Sequence, residues 1–337
     1  MRSTSLAIGV CLLSSAMAAS CQSWHVSDHW KIGGEGGWDY LLSDDAAHRL
    51  YVTHATRVEV LDTTSGKPVG AITGLKGVHG IALNPDGKTG YISDGAGNAI
   101  VVFDRGSLSV KQTVAAGTNP DGITYETTTN TVWAFNGRSK NVTVMNAASN
   151  EVIATVSLPG KPEFPQADGA GNVFVNIEDQ NSIVKLDAKK HAIVGTWQLK
   201  GCESPSGLAI DRQKQRLFSV CDGQKMAVSS YAEGKLVALA SVGDSPDAAA
   251  FDPKTKLAFS SNGEGTLTII DTTKAGFPAV QNVTTMKGAR TMTYDAATGR
   301  AFLSAAQLGP APAATAAAPK PRPKPVPGSF VILVVSR

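Results

Sequence analysis

Apolar and polar positions alternate along this chain in short runs, and "RLYVTHATRVEVLD" (49–62) sets the pattern. Two runs of period two, rich in β-branched residues and parted by a short polar break, predict two antiparallel strands joined by a tight turn. Nearly the same phrase returns to the end of the chain. The leading runs are "RLYVTH", "TGYISD", "TVWAFN", "NVFVNI", "RLFSVC", "LAFSSN" and "RAFLSA". Their partners are "RVEVLD", "AIVVFD", "NVTVMN", "SIVKLD", "MAVSSY", "TLTIID" and "FVILVV". Six of these partners end at Asp62, Asp104, Asn146, Asp187, Tyr231 and Asp271, in steps of 42, 42, 41, 44 and 40 residues.

Ahead of each pair a further strand runs into a polar turn, as in "YLLSD" and "GLAID", and a fourth such as "VIATVSLPG" follows. One four-stranded sheet cannot bury both of its faces, so the units must stack. A period near forty-two with four strands per unit predicts a β-propeller. Seven first strands are present, but the seventh unit stops after its third strand, "FVILVV". The missing strand matches "HVSDHWKIGG" (25–34) at the other end. The expected fold is therefore all-β, a seven-bladed β-propeller closed by an N-terminal strand that completes the last blade and hides two open edges.

"YVTH" at 51–54 is one letter from a Tyr-Val-Thr-Asn repeat, and "GTNPDGITYE" and "GDSPDAAAFDPKTKLAFSSN" carry its Gly-x-x-Pro-Asp spacing. On these residues the chain resembles the YncE-like, YVTN-family β-propellers over nearly its whole length. The resemblance implies an exported or surface protein of a family mostly without assigned function, with DNA binding proposed for some members. Lactonases and streptogramin lyases share the seven-bladed architecture by analogy of fold alone.

The first residues put Arg2 before the apolar run Leu6–Leu13 and then small residues at Ala16 and Ala18. This pattern predicts a signal peptide over 1–20, with the propeller over 21–337. "AASC" also reads as a relaxed lipobox, in which Cys21 would carry a lipid. The expected location is accordingly periplasmic, secreted or outer-membrane anchored, with membrane contact only through such a lipid. Of four cysteines, Cys202 and Cys221 lie well inside the propeller, where export favours a disulfide. The Pro/Ala-rich segment 309–328 interrupts the seventh blade and predicts a semi-extended loop. The formal net charge is +3, but Arg2, Lys320, Arg322 and Lys324 supply four positive charges and leave the rest at −1. Charge alone therefore gives the propeller body no nucleic-acid surface. DNA or polyanion binding would rest on the basic loop, which could instead lean over the acids at the channel mouth.

In a four-stranded meander, the loop entering each first strand and the turn between second and third strands share one face. Five residues before each first-strand end lie Asp39, His79, Asp121, Glu163, Ser206, Asp247 and Arg290, one per blade. They predict a polar ring at the mouth of the central channel, suited to a small molecule, a protein or a cell-surface component. Asp121, Glu163 and Asp247 are oxygen donors of the kind that hold Ca²⁺ or Mg²⁺, and no zinc-spaced Cys/His cluster is present. The same residues also read as turn formers lining a wet channel. Asp44, Asp168, Asp211, Asp252 and Asp295 fall on the opposite face as turn caps. His54 is expected on the mouth face in contact with solvent, and His79 is the candidate general base. No Ser-His-Asp order, phosphate loop or nucleophile elbow is readable. The leading reading is a non-catalytic scaffold that binds a ligand or partner at the mouth. The alternative is a divalent-cation-dependent lactonase- or lyase-like enzyme.

Overall fold

The computed structural model of the chain describes residues 23–313 and 323–337. Residues 1–20, where a signal peptide is expected, and Cys21, Lys320 and Arg322 lie outside those residues. Seven four-stranded antiparallel sheets stand in a ring, so the chain is a seven-bladed β-propeller. Blade one runs from the axis outward as β2 (Trp38–Asp44), β3 (Arg49–His54), β4 (Arg57–Asp62) and β5 (Pro68–Ile72). The next five blades repeat this order. Blade seven is closed by β1 (His25–Lys31), which pairs with β28 (Val331–Ser336).

The second strand of every blade carries one aromatic residue at the same register. Tyr51, Tyr91, Trp133, Phe174, Phe218, Phe259 and Phe302 are all fully buried. Each fills the space between neighbouring sheets, as Tyr51 does beside Phe103 with ring centroids 5.8 Å apart. One large ring per period keeps adjacent twisted sheets packed at native density, which is why the repeat tolerates so much variation elsewhere. The fourth strands face outward and leave Val69, Val152, Ile153 and Val280 exposed.

On the face away from the mouth, the first-strand acids cap their own turns. Asp168, Asp211 and Asp295 each accept backbone N–H bonds from residues two to four positions on. Asp252 accepts from the Lys254 N–H and from the Tyr294 hydroxyl, while Asp44 accepts from Ala47 and pairs with Arg105. In blade seven the Pro/Ala-rich insertion is zipped at its base. Gly309 donates to the Lys324 carbonyl and Val326 to that of Gln307, both on the mouth face.

Candidate functional site

The mouth ring is built by a backbone irregularity that recurs from blade to blade. In β2, β6 (Val78–Leu83), β10 (Pro120–Glu126), β14 (Pro162–Ala167) and β22 (Pro246–Asp252), the pairing register slips just after the strand begins. The slipped residues are Asp39 and Tyr40, His79 and Gly80, Asp121 and Gly122, Glu163 and Phe164, and Asp247. Bulges re-aim side chains and increase local twist, and here they turn five ring residues toward the axis. Blades five and seven begin their first strands later, at Leu208 and Thr291, so Ser206 and Arg290 reach the ring from the entering loop.

The residue after each ring position decides how close the blades come. A Cβ on Gly122 would lie 2.6 Å from the Glu163 carbonyl oxygen, and one on Gly207 the same distance from that of Asp247. These glycines let successive first strands touch. In blades one and four the equivalent residues are Tyr40 and Phe164, whose rings meet across the axis edge to face at 4.8 Å. They plug the channel beneath the ring.

Hydroxyl and amide side chains of the second strands, together with the hydroxyl of Ser206 in an entering loop, hold this mouth from behind. Asp39 N–H donates to Thr53 Oγ1, and Gly80 N–H donates to Ser93 Oγ at 2.7 Å. The Ser93 hydroxyl in turn donates to the Asp121 carbonyl of the next blade. Asn176 donates to the Ser206 carbonyl at 2.9 Å, the Ser206 hydroxyl donates to that of Asp247, and the Ser261 hydroxyl to that of Arg290. Each of these bonds from Ser93 onward crosses a blade boundary, so the ring is fixed as a unit. The disulfide between Cys202 and Cys221, with Cα atoms 5.3 Å apart, ties the loop entering blade five to its second strand.

The ring is resolved into charge pairs. His79 Nδ1 lies 2.5 Å from Asp39 Oδ2 and 3.8 Å from Asp121 Oδ1. Lys161 reaches both Glu163, at 2.6 Å, and Glu178. Arg290 pairs with Asp247 at 3.2 Å. Among the described residues, Asp39, His79 and Asp121 form the cluster whose ligand atoms all lie within 4.8 Å of one another. Glu163 and Asp247, grouped with Asp121 on the sequence, stand outside this cluster and pair with Lys161 and Arg290. Asp121 Oδ1 is buried and has no hydrogen-bond partner among the described residues.

Electrostatics follow from this crowding. Burial would lower His79, but the bond to Asp39 and the charges of Asp121, Asp39 and Glu163 raise it to about 9. Burial and Asp39 push Asp121 up to about 7, against the pull of His79 and Lys161. Burial and the charge of Asp121 likewise lift Glu163 to about 8. Tyr40, buried below four carboxylates, is held well above the ordinary tyrosine value. The surrounding carboxylates therefore favour the protonated form of His79 at neutral pH, which works against a general-base role. His54 differs from expectation too: it is fully buried, its ring 4.6 Å from that of Phe330, because the insertion packs Phe330 over the turn. Lys324 lines a groove beside Glu35 and pairs with no carboxylate among the described residues.

Fold and mouth together define a seven-bladed propeller with a plugged axis and a charged cup on one face. The family model described as "SMP-30/Gluconolactonase/LRE-like region" matches residues 53–167, about a third of the chain, a span holding His79, Asp121 and Glu163. No curated protein matches the chain. Among solved structures, hydrazine synthase of Kuenenia stuttgartiensis superposes with a TM-score of 0.73 at 14% identity, over 80% of this chain and 92% of that one. U3-55K gives 0.77 at 12% identity, covering 92% and 99%. The RRP9 WD40 repeats give 0.77 at 12%, covering 93% and 99%. Likeness at these identities establishes the architecture alone.

Proposed function

We propose that this chain is an exported propeller of the YVTN-repeat kind that binds a small polar ligand at its axial cup through a divalent cation held by Asp39, His79 and Asp121. The observation that carries this reading is the convergence of three donor atoms from three adjacent blades, one of them the buried Asp121 oxygen that accepts no hydrogen bond among the described residues. The crowding that makes His79 and Asp121 hold protons tightly is a local excess of negative charge, which favours a cation equally. An imidazole in the donor set shifts the expected ion from Ca²⁺ or Mg²⁺ toward Mn²⁺ or Zn²⁺. When bound, such an ion would polarise a ligand oxygen; the chain's own part is to fix the donors and, through Tyr40 and Phe164, to close the channel below them. The test is thermal unfolding of chelator-treated protein with added Mn²⁺, Zn²⁺ or Ca²⁺. Mn²⁺ or Zn²⁺ should raise the melting temperature of the wild type and leave the Asp39→Asn, Asp121→Asn double variant unmoved. A wild type that no cation stabilises would refute the reading.

A second reading, hydrolysis of a cyclic ester, is favoured by the partial match to the gluconolactonase-like model. In it Asp121 or Glu163, whose carboxyls exchange protons near neutrality, moves the proton in place of His79. Hydrolysis of simple lactones, lost in Asp121→Asn and Glu163→Gln, would select this version over plain binding.

A further inference from the structure

Beside the axial cup the mouth face holds a cavity of about 690 Å³, within the range of small-molecule sites. Its apolar wall is Trp38, Leu308 and Pro325. Trp38 is half-buried and backed by Phe330, stacked at 5.2 Å with the planes 22° apart. A ring so supported is a fixed platform. The rest of the lining includes Asp244, Glu264, Lys287 and Arg290, the last of them paired with Asp247. The two carboxylates accept only from the hydroxyls of Ser245 and Thr266, and neither forms an ion pair among the described residues. Lys287 has no carboxylate partner among them either. A second cavity of about 350 Å³ shares Gly37 and Pro325 with the first and extends it along the rim.

We propose that this rim cleft binds a neutral oligosaccharide. A sugar ring has an apolar face of C–H groups bounded by hydroxyls that both donate and accept. Trp38 fits the face, Asp244 and Glu264 accept from hydroxyls, and Lys287 and Arg290 donate to them. Two acids face Lys287 and an Arg290 already paired with Asp247, so the lining carries an excess of negative charge and disfavours an anionic ligand. A wholly apolar ligand would strip water from four charged groups and give nothing in return. A simple ion would have no use for Trp38 or Leu308. The adjoining groove gives room for more than one sugar unit. The proposal does not depend on a cation at Asp39, His79 and Asp121.

The experiment is titration of the full chain with tetrasaccharides of glucose, of N-acetylglucosamine and of galacturonate, followed by calorimetry and tryptophan fluorescence. One of the two neutral sugars should bind and perturb the fluorescence. Trp38→Ala should weaken it at least tenfold, and Glu264→Gln with Lys287→Ala should do so without touching the Trp38 stack. The Asp121→Asn variant should bind sugar as the wild type does while losing any cation response, which separates this site from the axial one. Absence of binding by either neutral sugar, preference for galacturonate, or unchanged affinity in both sets of variants would overturn the proposal.

Discussion

At the scale of single residues, the mouth trades stability for charge. His79 has a folded pKa of about 9, above the roughly 6.5 of a free histidine, so its ion pairing stabilises the fold fully below about pH 6.5 and fades as pH rises through about 9. His79→Gln should therefore cost roughly 1–3 kcal/mol near pH 6, with the gap to wild type closing above pH 9. Asp121 works the other way. Its folded pKa of about 7 lies above that of a free aspartate, so its ionisation opposes folding increasingly as pH climbs from about 4 to 7. Asp121→Asn should accordingly gain on the wild type between pH 5 and 8 in denaturant melts. A variant that loses stability uniformly across that range would mean the carboxylate is structural. Holding a destabilising acid at a mouth is the usual cost of a binding site.

At the scale of elements, the strands were legible and their irregularities were not. Period-two runs such as "RLYVTH" located each second strand, and the aromatic at its third position later proved to be the interblade packing residue. The ring column, from Asp39 to Arg290, followed from register alone. The bulges that aim it were hidden, because a slip of pairing depends on the neighbouring strand rather than on local propensity. The next column, Tyr40, Gly80, Gly122 and Phe164 in the first four bulged strands, mixes rings with glycines and carries no pattern that names a bulge. Lys161, two residues before Glu163, was likewise missed, since strand spacing says nothing of which acid a long side chain will reach. Two tests belong here. Gly122→Ala should destabilise by roughly 1–3 kcal/mol, because its new methyl meets the Glu163 carbonyl and the Pro165 ring at 2.6 and 2.5 Å. Removing residues 23–34 should lower the melting temperature by more than about 10 °C, since it bares the edge of β28 and uncovers Phe302, on which Trp30 rests at 5.2 Å. An unchanged melting temperature would deny β1 its closing role.

At the scale of the whole molecule, the ring of blades sets seven loops around one axis and brings donor groups of three of them together. No local motif could announce this, because Asp39, His79 and Asp121 lie about forty residues apart and are joined only by the stacking of successive blades. The plug of Tyr40 on Phe164 spans blades one and four, so the cup has a floor and is entered from one face. The most direct test is calorimetric titration of Mn²⁺ into the chelator-treated chain at pH 7, in two buffers of different ionisation heat. The account predicts one ion per chain and release of between about one and two protons, from His79 and from the partly protonated Asp121, with both signals absent in the Asp39→Asn, Asp121→Asn variant. Heat without proton release, or no saturable binding at all, would contradict it.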